Sequence, residues 1–79
     1  MLPGSVQGMI VEDDAWLIDL RHRPESPVDT VHVAGNFNGW NRNAHEMTPL
    51  GDGSWGLQLR LPLGVHYYKF VHDGRDWLP

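Results

Sequence analysis

Cysteine is absent from this chain of 79 residues. Its absence excludes disulfide bonds, thiolate metal sites and thiol nucleophiles, and it is compatible with a reducing compartment. The 5 histidines are scattered without the spacing that is typical of a zinc site. Neither a metal nor a cofactor is therefore expected.

Basic residues are also scarce. Lys and Arg number 6 against 10 Asp and Glu, the formal net charge is -4, and the short cluster Arg21-His22-Arg23 is the main concentration of positive charge. Nucleic acid and anionic membranes are not expected partners, because both require an extended positive surface.

Long apolar runs are missing as well. No stretch approaches the roughly 20 apolar residues that cross a bilayer. The start, Met1–Ser5, has neither the basic region nor the apolar region of a signal peptide. The sequence therefore predicts no membrane segment and a cytoplasmic location.

The length of 79 residues predicts one small domain. Such a domain buries only about 60 to 65% of the surface that its unfolded chain exposes. It also has few elements with which to wall a substrate cleft. The size favours a non-catalytic binding or regulatory module over a free-standing enzyme.

Alternation with period two is the main pattern that the chain does contain, and it indicates half-buried β-strands. In the clearest run, 54–61, large apolar residues occupy every second position and small or polar residues lie between them. Run 15–22 shows the same alternation. Trp16 and Trp55 belong to these apolar faces and are predicted to lie in the core.

The last alternating run divides its residues between two faces. Tyr68 and Phe70 share one face, and Tyr67, Lys69 and Val71 share the other. Because Lys69 is charged, its face is expected to point outward.

Turn-forming residues separate the runs at short intervals. Five or six short antiparallel strands joined in this way predict an all-β sandwich or barrel. Met9–Val11 is expected to add a further short strand. Residues 1–8 are expected to fray, and residues 9–79 to form a single domain.

The most informative block is Gly35-Asn36-Phe37-Asn38-Gly39-Trp40, which follows a β-rich run. Glycine and asparagine are residues that form turns. A large apolar ring at the end of such a turn is poorly placed for a core and well placed to meet a ligand. Trp40 is therefore a candidate binding residue.

Three blocks occur in order: 35–40, then Asp52-Gly53-Ser54-Trp55, then 64–74, which reads Gly-Val-His-Tyr-Tyr-Lys-Phe-Val-His-Asp-Gly. Together they resemble the family 48 carbohydrate-binding module, also called the glycogen-binding or isoamylase N-terminal domain. That family occurs in the β subunit of the AMP-activated protein kinase and in branching enzymes, isoamylases and pullulanases. The resemblance covers roughly residues 15–79.

The resemblance implies an immunoglobulin-like, early-set β-sandwich that binds α-1,4-glucans such as glycogen, starch, maltooligosaccharides and cyclodextrin. It implies that Trp40 stacks on a sugar ring and that Lys69 donates hydrogen bonds to sugar hydroxyls. Trp77 corresponds to a second stacking platform, although two residues separate it from the preceding Asp-Gly turn where the kinase subunit has one. Asn36 and Asn38 are either turn formers or additional polar contacts to the sugar.

Two alternatives stay open. Some members of the family pack against a catalytic domain or partner subunit and have no sugar site of their own, so Trp40 and Trp77 would then fill a protein interface. A small hydrolase would instead require turnover of a maltooligosaccharide by this chain. The catalytic alternative is disfavoured, because nothing in the sequence builds the carboxylate-lined cleft that glycoside hydrolysis needs.

The end of the sequence bears on assembly. The family usually continues beyond the tryptophan that matches Trp77 into a closing strand. The chain is therefore expected to be either a module of a larger α-glucan-active protein or a domain with an open sheet edge. In the second case, another copy could pair with that edge and form a strand-mediated homodimer.

Overall fold

The computed structural model describes residues 4–78. Within them the chain forms eight β-strands and one short 3-10 helix, Asn36–Asn38, which follows the third strand. The strands are β1 (Gly4–Glu12), β2 (Ala15–His22), β3 (Val31–Gly35), β4 (His45–Glu46), β5 (Thr48–Pro49), β6 (Trp55–Pro62), β7 (Tyr68–His72) and β8 (Asp76–Trp77).

The strands form two four-stranded sheets, and each pair of neighbouring strands is antiparallel. The first sheet has the order β1-β2-β6-β5 and the second has the order β4-β3-β7-β8. The prediction of an all-β sandwich is confirmed. Among residues 4–78, no helix is both long and apolar enough to cross a membrane.

The first strand is longer than the short strand expected at Met9–Val11. It begins at Gly4, pairs with β2 along its length, and has a bulge between Val6 and Gly8. β1 therefore overlaps the segment 1–8, whose fraying stays a prediction.

The core lies between the inner faces of the two sheets. Its fully buried members include Leu20, Val31, Val33, Met47 and Phe70. Trp55, predicted to be in the core, is also buried, because the alternation of β6 directs it toward the second sheet.

The basic cluster Arg21-His22-Arg23 does not form a continuous positive surface. His22 points inward, stacks on the ring of Phe70 with centroids 4.2 Å apart, and lies 2.7 Å from His72 between their Nε2 atoms. Arg21 and Arg23 point outward and each pairs with an aspartate. Strand alternation thus separates three residues that are adjacent in the sequence.

One part of the inner face is left uncovered. On β1, Val6, Met9 and Val11 point to the same side as the core residues of β2, yet all three are exposed. Trp16, also predicted to be in the core, is only partly buried and lines the groove beside Val6 and Met9. The second sheet therefore does not extend over this end of the first.

A carboxylate connects the ends of three strands in the second sheet. Asp73, in the turn between β7 and β8, accepts hydrogen bonds from the backbone N–H groups of Asp29 and Thr30, with N···O distances of 2.7 and 3.2 Å. Its own N–H donates to the Thr30 carbonyl at 3.0 Å. These bonds fix the start of β3 beside the β7–β8 turn.

Acid is expected to weaken this connection. The hydrogen bonds from Asp29 and then from Thr30 lower the pKa of Asp73 from its ordinary value of 3.8. A lowered pKa means that the stabilisation is present above pH 3.8 and is lost as the pH falls through the folded-state pKa. Asp73→Asn should reduce stability at neutral pH and flatten the acid limb of the melting-temperature profile.

Asparagine suits this test because it tolerates the positive φ of 54° at position 73 and retains an acceptor oxygen. The matched control is Asp14→Asn, at an exposed aspartate in the β1–β2 turn with a φ of 60°. If both variants showed the wild-type acid profile in circular dichroism melts, Asp73 would not contribute to acid sensitivity.

Candidate functional site

The candidate site lies on the second sheet, on the face that points away from the first sheet. We call it the platform face and define it by the side chains that alternation and register direct outward: His32, Ala34, Glu46, Lys69, Val71 and Trp77. Lys69 lies opposite Ala34 across the β3–β7 ladder. The prediction that the Lys69 face of its strand points outward is confirmed.

Lys69 and Trp77 are brought together by strand pairing. Trp77 lies opposite Val71, and Val71 is two positions beyond Lys69 on the same face of β7. Diagonal neighbours of this kind are about 7 to 8 Å apart in an antiparallel sheet. A cationic amine and an indole ring are therefore adjacent on one surface.

The floor of the platform face is apolar and closed. Ala34 and Val71 are 0% exposed although neither points into the core between the sheets. Larger neighbours on the same face must cover them, and Trp77 is the direct cross-strand neighbour of Val71. Trp77 is itself 38% exposed, so part of the residue is accessible from solvent.

Polar groups stand at the edge of the same face. His32 of β3 and Glu46 of β4 are cross-strand partners, and their Nε2 and Oε1 atoms are 3.9 Å apart. The Glu46 side chain is largely exposed and offers acceptor oxygens on the platform face, on the far side of β3 from Lys69. Sequence analysis missed this pair because the pairing of the two-residue strand β4 has no local signal.

Trp40 is presented by a strained turn at the end of β3. After the 3-10 helix, Gly39 has a φ of 66° and Trp40 a φ of 59°, so two successive residues are left-handed. The N–H of Trp40 donates to the Gly35 carbonyl at 2.9 Å. A left-handed conformation is unusual for a bulky residue and costs about 1 to 2 kcal/mol.

Trp40 is 42% exposed. Gly35, which anchors the turn, is paired with Tyr68, the residue before Lys69. The turn therefore begins at the end of the sheet that carries Lys69, while Trp77 lies on the other side of Lys69 along β7. Strain that persists at an exposed aromatic residue is typical of functional sites.

Asn38 holds this turn together from within. Its Oδ1 accepts a hydrogen bond from the Gly35 N–H at 3.0 Å, and its Nδ2 donates to the Val33 carbonyl at 2.9 Å. The same Nδ2 lies 2.8 Å from Nδ1 of His45. Both ends of the amide are thus occupied by the fold, and contact between Asn38 and a sugar stays a prediction.

Asn36 connects the turn to the loop that precedes β7. Its backbone N–H donates to the Tyr67 carbonyl, its Oδ1 accepts from the Tyr67 N–H, and its Nδ2 donates to the Val65 carbonyl, over distances of 3.1, 3.1 and 3.3 Å. Asn36 is exposed, and its contact with a sugar likewise stays a prediction. The structure gives both asparagines a positioning role.

Potential metal ligands do not gather at this site. Among the described residues, no group of three or more His, Cys, Asp or Glu side chains is placed to hold an ion. The chemistry that the platform face can offer is planar apolar surface, one ammonium donor and carboxylate acceptors.

Comparison with known proteins gives a consistent result. The family described as the glycogen recognition site of AMP-activated protein kinase matches residues 20–77, a segment that contains the platform face and the Trp40 turn. No solved structure shows significant similarity to the chain.

Two curated relatives are α-glucan enzymes by name. An amylopullulanase of Thermoanaerobacter thermohydrosulfuricus is 37% identical over 54 residues, which are 65% of this chain and 4% of the relative. A 1,4-alpha-glucan branching enzyme of Butyrivibrio fibrisolvens is 42% identical over 48 residues, 58% of this chain and 7% of the relative. The chain thus spans a small fraction of the length of these relatives.

Proposed function

This chain belongs to the family described as the glycogen recognition site of AMP-activated protein kinase, and on that basis we propose that it binds α-1,4-glucans without acting on them. The binding surface is the platform face together with Trp40. The observation that carries the proposal is the adjacency of exposed Lys69 and Trp77 above the closed floor of Ala34 and Val71.

The chemistry of the ligand fits these groups. A pyranose ring has apolar faces of C–H bonds and a rim of hydroxyl groups. Trp40 and Trp77 offer flat rings for the sugar faces, and Lys69 donates hydrogen bonds to the hydroxyls. Asn36 and Asn38 act by holding the turn in place, which reduces the ordering that binding would otherwise require.

Binding at a flat, hydrated surface is expected to be weak. We expect dissociation constants in the range of about micromolar to millimolar. Attachment to a polymer then depends on several modules or several contacts with one polysaccharide. This suits a module of a larger α-glucan-active protein, a role that the names of the two relatives support.

The test uses the chain labelled uniformly with 15N, which leaves the side chain of Lys69 chemically unchanged. The backbone amide signal of Lys69 and the indole N–H signals are followed during titration of the unmodified side chains with maltoheptaose and β-cyclodextrin. We expect saturable shifts at Lys69 and at the indole N–H groups of Trp40 and Trp77. Cellohexaose, the β-linked control, should cause little change.

A specific observation favours a second candidate function. The exposed inner face of β1, with Val6, Met9 and Val11, continues into a groove beside Trp16 and Tyr68. A docking domain could pack on a catalytic domain or partner subunit through this apolar surface. A well-dispersed spectrum without shifts at millimolar glucan would exclude the sugar site and favour docking.

A strand-mediated homodimer also remains a proposal, because, within residues 4–78, the outer strands of both sheets have an unpaired edge. The edge that the sequence indicated is that of β8, the outer strand of the second sheet, and β1, nine residues long, forms a second edge that also favours pairing with another chain. Light scattering that shows a monomer at high protein concentration would contradict it.

A further inference from the structure

Tyr67 is an exposed aromatic residue that is not among the residues that define the platform face. It lies one residue before β7 and is 65% exposed. Tyr68 points inward, where its ring meets Phe70 edge-on at a centroid distance of 5.7 Å. Because successive residues of an extended chain point to opposite sides, Tyr67 is on the side of Lys69.

Both backbone polar groups of Tyr67, its N–H and its carbonyl, form hydrogen bonds with Asn36. Its N–H donates to Oδ1 of Asn36 and its carbonyl accepts from the Asn36 N–H, each at 3.1 Å. Residues in the connection between two strands are usually mobile, but this one is fixed to the turn that carries Trp40. The ring is therefore presented from an ordered main chain, which limits the entropy that a bound ligand would remove.

The position of Tyr67 extends the row of binding groups. Along the strand, Tyr67, Lys69 and Val71 follow each other at every second residue, a spacing of about 7 Å. Trp77 lies beside Val71, so Lys69 stands between a tyrosine on one side and a tryptophan on the other. The Trp40 turn is anchored at the Tyr67 end, through Gly35 and Asn36.

We propose that Tyr67 is a third aromatic platform, which extends the glucan site beyond Lys69 by at least one glucose unit and favours longer chains over short ones. This inference rests on the proposed function of the platform face. A flat ring with a hydroxyl at its edge can stack on a sugar face and hydrogen-bond to the sugar rim.

The experiment measures dissociation constants of the full 15N-labelled chain for maltotriose and maltoheptaose from the Lys69 amide and tryptophan indole N–H shifts. Tyr67→Ala should weaken binding of maltoheptaose by about three- to tenfold and leave maltotriose unchanged. Tyr67→Phe, which retains the ring, should bind maltoheptaose within about twofold of wild type. The matched control is Val65→Ala, an exposed position in the same loop that has no ring.

The outcomes separate this inference from the function on which it rests. If wild type binds maltoheptaose and Tyr67→Ala binds it equally well, the third platform is wrong and the glucan site stands. If Tyr67→Ala weakens both sugars equally, Tyr67 does not extend the site, and the inference is also wrong. If wild type binds neither sugar, both fail together.

Folding is checked in the same samples. The bonds that hold Tyr67 are made by its backbone, so Tyr67→Ala should retain the amide spectrum of wild type. Tyr67→Leu supplies a second variant with apolar bulk and no planar ring, and it should lose affinity for maltoheptaose in the same way.

Discussion

Replacing Trp40 with alanine or with glycine is expected to remove most glucan binding while the domain stays folded. Both substitutions delete the exposed ring, so each should weaken maltoheptaose binding by about tenfold or more. They differ in the backbone. Alanine keeps the left-handed strain at a φ of 59°, whereas glycine adopts this conformation without strain.

The two variants therefore separate binding from stability. Trp40→Gly should be more stable than Trp40→Ala by about 1 kcal/mol in urea unfolding, although their glucan affinities should be equally low. A control is Leu50→Ala, at an exposed apolar residue outside the platform face. If both Trp40 variants bound maltoheptaose with wild-type affinity, Trp40 would not be part of the binding site.

The largest loss of stability is expected for Gly35→Ala. The backbone of Gly35 is extended, with a φ of -161°, so conformational strain is not the reason. A Cβ atom at this position would overlap the carbonyl oxygen of Tyr67 and the ring of Phe37. The carbonyl belongs to the backbone that Asn36 holds, so it has little room to move.

Overpacking of this kind usually costs about 1 to 3 kcal/mol and sometimes more. A small domain has a free energy of unfolding of only about 5 to 15 kcal/mol. We therefore expect Gly35→Ala to stay folded in the absence of urea and to have a strongly lowered urea midpoint. Because Gly35 also anchors Trp40, the folded variant should bind glucan less well.

The matched control for this prediction is another glycine in a strand. At Gly8, an added Cβ would meet only the Cβ atom of Asp19, at an ordinary contact distance of 3.9 Å. Gly8→Ala should therefore leave stability unchanged or raise it slightly. If Gly35→Ala were as stable as Gly8→Ala, the close approach of β3 to the Tyr67 loop would be contradicted.

The sequence predicted the features that depend on neighbours along the chain. Alternation of period two identified the all-β class, the burial of Trp55 and the outward face of Lys69, because side chains of a strand alternate between two environments whichever strands lie beside it. The same alternation predicted that Trp16 lies in the core, whereas Trp16 is only partly buried. The burial of Trp16 depends on whether a second sheet extends over it, which no local pattern reports.

The asparagines of the Trp40 turn also show what the sequence predicts and what depends on the tertiary structure. Their abundance around Gly35 predicts a turn, since asparagine forms turns and tolerates positive φ. The residue that is itself left-handed is Trp40, beside Gly39, whereas the amides of Asn36 and Asn38 bond to backbone atoms in the fold. Which of several polar side chains is left free for a ligand depends on partners as far away as Val65 and Tyr67.

By itself, then, the sequence determined the strand content, the inward and outward faces and the turn that carries Trp40, all of which arise from local stereochemistry and hydrophobic alternation. Tertiary structure alone decided that Trp77 pairs with Val71 and so lies diagonally from Lys69, and that Glu46 pairs with His32 on the same face. The physical reason is strand register: it pairs residues that are distant in sequence through backbone hydrogen bonds, which every residue but proline can make in the same way.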